Sequence, residues 1–201
     1  MRKISLLAVL VLMASGAQAA TLDVVGGQLM GASNVLVDGL YYDVEFVDGT
    51  CSDLFSGCDD LSDFTFNTST SALAAANALL DQVLIDATAV HLFDSFPQAT
   101  NGIEYSSWGH VLVAFGFESS PPGQNSLLGY SATNNELEEL DEVFLAQLGY
   151  TGMQYQDTGT MSFAAEWAYS RWSVVPEPST VLLVGFGLAG LAGQGRRRNR
   201  S

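Results

Sequence analysis

The chain has 201 residues, and its 22 Asp and Glu against seven Lys and Arg give a formal net charge of −15. That balance excludes nucleic-acid binding through phosphate neutralisation, which needs clustered Lys and Arg. A content of 48% apolar and 10% aromatic residues excludes a disordered chain, and the length suits one domain once targeting segments are set aside.

The first 19 residues have the layout of a secretory signal peptide. Arg2 and Lys3 form a positive start, residues 6–14 an apolar run, and Ala17-Gln18-Ala19 a small-x-small site with cleavage expected between Ala19 and Ala20. The apolar run is shorter than a membrane-spanning helix requires. Residues 20–175 then form the expected exported domain. It carries 21 acids and a single base, Arg171, a formal −20.

Within that domain, residues 35–47 read as a hairpin. Asp38-Gly39 is a two-residue turn signal, and Tyr42, Val44 and Phe46 alternate with Tyr41, Asp43 and Glu45. Cys51 and Cys58 are the only cysteines; export into an oxidising compartment points to a local disulfide between them. Residues 71–87 read as a helix with Leu73, Ala76, Leu80, Val83 and Ala87 on one face, capped by Thr70 or Ser71. Residues 110–117 are apolar on both faces, as in a central strand, and Pro121-Pro122-Gly123 breaks the chain after it. A second helix is expected over residues 133–148. Thr133 and Glu136 have capping-box spacing, Leu137, Leu140, Phe144 and Leu148 share a face, and Gly149 would close it. Residues 160–174, with Trp167, Tyr169 and Trp172, read as the last long strand. The order predicts an α+β fold: a mainly antiparallel sheet with two helices on one face.

The remaining residues, 176–201, form a tail. Pro176-Glu177-Pro178 precedes an apolar stretch at residues 181–193, followed by Arg196, Arg197, Arg198 and Arg200. Two prolines two apart favour an extended linker. The apolar stretch predicts a short transmembrane helix with its arginines on the cytoplasmic side.

This order of tripeptide, apolar stretch and terminal arginines resembles the PEP-CTERM sorting signal. In that family the signal is read by an exosortase, a membrane-embedded cysteine transpeptidase or protease of Gram-negative bacteria that make exopolysaccharide, often in biofilms. The resemblance implies a cut near the tripeptide that releases or re-anchors the exported domain. It makes Pro176, Glu177 and Pro178 recognition residues for another enzyme. It also implies export across the inner membrane, transient anchoring there, then display at the cell surface or release. The stretch LYYDVEFVDGTCSDLFSGC, residues 40–58, is similar to a module of other exported PEP-CTERM proteins, and favours a hairpin followed by a disulfide.

The densest acidic site is Asp53, Asp59, Asp60 and Asp63, with Asp48 before it. Oxygen ligands on a pinned loop suit Ca²⁺, although the spacing is not that of an EF-hand, so weak Ca²⁺ binding is the one cofactor expectation. Enzyme signatures are missing from the sequence. There is no Gly-x-Ser-x-Gly elbow, His91 and His110 have no metal-ligand spacing, and no Gly-rich phosphate loop follows a strand. His91 reads as a packing residue, and His110 as a strand residue bonded locally. Among so many acids a glycosidase pair is available, but nothing marks one. Arg171 is expected to pair with an acid across the sheet and to stack on an aromatic neighbour. Tyr41, Trp108, Trp167, Tyr169 and Trp172 are expected mostly in the core, a sugar-stacking face being the alternative. The reading is an exported, exosortase-processed, non-enzymatic protein with a structural or interaction role in the envelope or exopolysaccharide matrix. Its alternatives are a secreted carbohydrate-active or other hydrolytic enzyme, and a Ca²⁺-dependent adhesive module.

Overall fold

The computed structural model describes residues 19–176 except 50, 57, 89–90, 105–106, 121–123, 138–139 and 149–165. Two tight turns set its first third. Gly26-Gly27 (φ 63° and 90°) folds β1 (Thr21–Val25) onto β2 (Gln28–Val37). Asp38-Gly39 (φ 48° and 85°) folds β2 onto β3 (Leu40–Val47), with Val37 opposite Leu40. Positive φ at both central residues is what a two-residue hairpin turn demands, and Gly and Asp supply it at low cost.

A single helical turn, α1 (Cys51–Leu54), and a 3-10 turn at Leu61–Asp63 follow. Then comes the one long helix among the described residues, α2 (Ser69–Gln82). It starts earlier than expected because Thr68, not Thr70 or Ser71, is extended and accepts the Ser71 N–H on its hydroxyl. It ends at Gln82, and β4 (Asp86–Thr88) pairs with β5 (His91–Leu92) in a small separate hairpin. The Asp86 carboxylate fastens that hairpin by accepting the Asp94 and Ser95 N–H groups.

The second half is a meander of β6 (Trp108–Ser120), β7 (Gln124–Asn135) and β8 (Glu142–Leu148), after which β9 (Trp167–Val174) is the last described strand. The seven-stranded sheet runs β1-β2-β3-β9-β6-β7-β8. β9 therefore lies in its middle, antiparallel to β3 and parallel to β6. Among the described strands, the two meanders are hydrogen-bonded into one sheet only through it.

The expected α+β fold with two helices is corrected to a mostly stranded, mixed sheet with one long helix. Residues 133–135 end β7, and residues 142–148 are β8, paired with residues 127–133 of β7. Asn135 accepts the Leu137 N–H, and the Leu140 N–H reaches back to the Leu137 carbonyl, so the segment turns instead of coiling. Leu137 and Leu140, placed on the helix's apolar face, are each 55% exposed. Phe144 and Leu148 satisfy the helical period of four and the strand period of two alike, and Ala146 between them is buried. The strand wins because β7 offers a complete partner. The membrane helix expected in residues 181–193 lies outside the described residues, and no helix among those described is long and apolar enough to cross a membrane.

Strand alternation gives the sheet two faces. On one, α2 packs the small side chains Ala72, Ala75 and Ala76, together with Leu79, over Val35, Val44, Phe46, Val111, Val113 and Ala132. On the other, the short loop from Cys51 to Phe64 covers Leu112, Ala114, Leu127, Ala146 and Tyr169.

Candidate functional site

The disulfide is present: Cys51 and Cys58 are joined, with Cα atoms 5.6 Å apart. It pins the loop that brings Phe55 within 5.7 Å of Tyr169 and Phe64 within 5.3 Å of Phe117, ring centre to ring centre. The acids beside it serve the backbone. Asp60 accepts the Ser62 N–H at 2.8 Å, which holds its carboxyl below the usual carboxylate range. Asp63 accepts the N–H groups of Asp59 and Asp60, both at 3.0 Å, closing a capping box around the 3-10 turn. Asp53 lies exposed on α1. Among the described residues no three His, Cys, Asp or Glu side chains are grouped to hold a metal ion.

The aromatics divide by face. Trp172 packs against Tyr42 and Phe66, and Tyr169 is buried under the disulfide loop. Arg171 pairs with Glu45, directly opposite it on β3. Both side chains are about half exposed, so the pair contributes roughly 1 kcal/mol at most. His91 stacks on Phe93.

The disulfide loop does not cover the whole of its face. Beyond it, where β6 begins and β7 ends, lies a groove of about 460 Å³ lined by Trp108, His110, Thr133, Asn135, Leu140, Asp141 and Glu142. The register builds it: His110 lies opposite Thr133 and beside Trp167, and Thr133 lies opposite Glu142. Asp141 holds the turn above by accepting the Asn135 N–H at 2.7 Å. The His110 ring stacks on Trp167 at 4.4 Å and meets the edge of Phe144 at 5.7 Å. Its Nδ1 is 3.0 Å from the Thr133 hydroxyl and 3.3 Å from that of Ser131. Burial pushes its pKa below the ordinary histidine value, against the opposing pull of the Glu166 and Glu142 carboxylates.

Chemically this is a floor of stacked rings, an indole wall and two carboxylates. Trp108 is 46% exposed, a large flat apolar surface offered to solvent. Ser131 and Thr133, the hydroxyls nearest the imidazole, are buried. From sequence Trp108 was expected mostly in the core, with sugar stacking as the alternative, and His110 locally bonded; nothing there signalled that Asn135, Asp141 and Glu142 would join them. Only the β7–β8 pairing does that.

The two processing points expected from the sequence stand beside strand ends. Ala19 is exposed, Ala20 is partly buried against the helix-side core, and β1 begins at Thr21 on the sheet's edge. At the other end, Val174 pairs with Tyr42, the Val175 N–H donates to the Tyr41 carbonyl at 2.9 Å, and Pro176 is exposed. Glu177 and Pro178 lie outside the described residues.

Residues 174–198 match the family model of the PEP-CTERM protein-sorting motif, the signature of exported proteins handled by an exosortase. Neither a curated protein nor a solved structure matches the chain.

Proposed function

We propose that this exosortase-targeted chain delivers a non-enzymatic interaction module to the envelope or the exopolysaccharide matrix, and that the groove beside Trp108 is its binding surface. The observation that carries the reading is the exposed indole of Trp108 set beside Asp141 and Glu142, on the part of the sheet that the disulfide loop leaves open. A pyranose ring stacks its C–H face on an indole and gives its hydroxyl hydrogens to carboxylates. The formal −20 of residues 20–175 repels acidic polymers. The fitting ligand is a neutral or amine-bearing polysaccharide.

The test is binding of the exported domain to a panel of neutral, amine-bearing and uronic-acid polysaccharides, with Trp108→Ala as control. Binding to the first two classes, weakened about tenfold by the substitution at unchanged melting temperature, supports the proposal. Equal binding by the variant removes the groove from it. Release of reducing ends by the purified domain replaces it with an enzyme.

A further inference from the structure

On the reading of the Trp108 groove as a polysaccharide-binding surface, we infer that it carries a subsite for a protonated amine and prefers amine-bearing chains to neutral or N-acetylated ones.

Strand register sets the arrangement. Glu142, Thr133, His110 and Trp167 form one row across β8, β7, β6 and β9. Glu142 stands at one end of the row, exposed on the edge strand, and Glu166 directly precedes Trp167 at the other. Trp108 lies two residues before His110 on β6, so strand alternation puts it on the same face, where it lines the groove with Glu142. Both carboxylates reach the floor between them, since each opposes the effect of burial on the His110 ring. Asp141 adds a third negative charge to the lining while accepting the Asn135 N–H.

The domain supplies no Lys or Arg to this row. Arg171 is the only one in residues 20–175, and Glu45, opposite it on β3, holds it. Beyond the imidazole of His110 itself, a cation facing Glu142 and Glu166 has to come from a ligand. A divalent metal fits poorly, because Ca²⁺ needs about six to eight oxygens converging on one point. Here the carboxylates are spread along a row of four strands, roughly 14 Å, and no three metal-binding side chains among the described residues are grouped. An ammonium carried on a sugar ring suits such a surface. The ring's carbon face stacks on the half-exposed indole, the charge is drawn to the electron-rich ring and to the carboxylates, and the N–H groups donate to them. N-acetylation removes the charge and leaves a single N–H. A hydroxyl in the same place brings no charge at all.

The experiment titrates the full chain, held in a polyoxyethylene detergent that carries no sugar, with β-1,4-linked tetramers of glucosamine, N-acetylglucosamine and glucose. Work at about pH 6 keeps the carboxylates ionised and the sugar amines protonated. The glucosamine tetramer should bind about tenfold more tightly than the other two at low salt, and this advantage should shrink as salt rises. Glu142→Gln and Glu166→Gln should each cut the advantage by about threefold or more. Asp81→Asn removes the same charge from an exposed position on α2, on the other face of the sheet, and should leave it intact. Equal affinity for the three tetramers, lost in Trp108→Ala, overturns the amine subsite and leaves the groove a sugar surface. An advantage that Asp81→Asn reduces as much as Glu142→Gln belongs to the overall charge of the domain and overturns the subsite too. A lysine tetrapeptide that binds more tightly than the glucosamine tetramer, and depends on Trp108, replaces the sugar by a basic peptide. No binding of any tetramer, or binding indifferent to Trp108→Ala, overturns the polysaccharide reading itself.

Discussion

The two faces of the sheet are covered by different means. A helix of 14 residues seals one, laying alanines closely over the strands, while a disulfide-pinned loop with a single turn of helix covers part of the other with aromatic rings. The helix brings enough apolar surface to bury the centre of its face. The loop does not, and the surface it leaves open is where the groove lies. Coverage by a short loop is therefore the structural origin of the candidate site.

This contrast can be broken from either side. On the helix face, Leu79 is fully buried, and Leu79→Ala should cost about 2–5 kcal/mol, read as a lower midpoint in chemical denaturation. The loop face should respond less. Reducing Cys51–Cys58, or replacing both cysteines by serine, removes a constraint worth about 2 kcal/mol for so short a loop. It should expose Tyr169 and Phe64 while α2 keeps its helical signal; loss of both together would show that the faces are not independent.

The smallest effect belongs to the groove floor. His110 has a lowered pKa in the folded domain, so the unfolded chain binds its proton more tightly. Stability from this residue is complete above the ordinary histidine value of about 6.5 and is lost as pH falls from there through the folded pKa. The slope is at most that of one proton, about 1.4 kcal/mol per pH unit. His110→Gln should flatten the stability profile in that window and leave the carboxylate region below it unchanged. An unaltered profile would assign the slope to another group.

How much of this could be read from sequence follows the range of the forces involved. The turn at Asp38-Gly39 was legible because φ preferences act within two residues. The disulfide was legible because only two cysteines exist and lie seven apart. Strand β6 announced itself by its double-sided apolar run. Residues 133–148 misled, because the helical and strand readings of Phe144 and Leu148 differ only in whether β7 is available as a partner. The placement of β9 at the centre was hidden for the same reason, since strand order in a sheet is not chain order. The groove unites residues 108–110, 133–135 and 140–142, and no local pattern links the three. The sorting motif was legible because another enzyme must read it as sequence.

The open face is tested most directly by oxidative footprinting of the tryptophans in the exported domain. Trp108 should be modified readily and Trp172, 6% exposed beneath the helix-covered face, should be protected, with a bound neutral polysaccharide shielding Trp108 alone. If Trp108 is as protected as Trp172 in the free domain, the groove is closed and the account of this face is wrong.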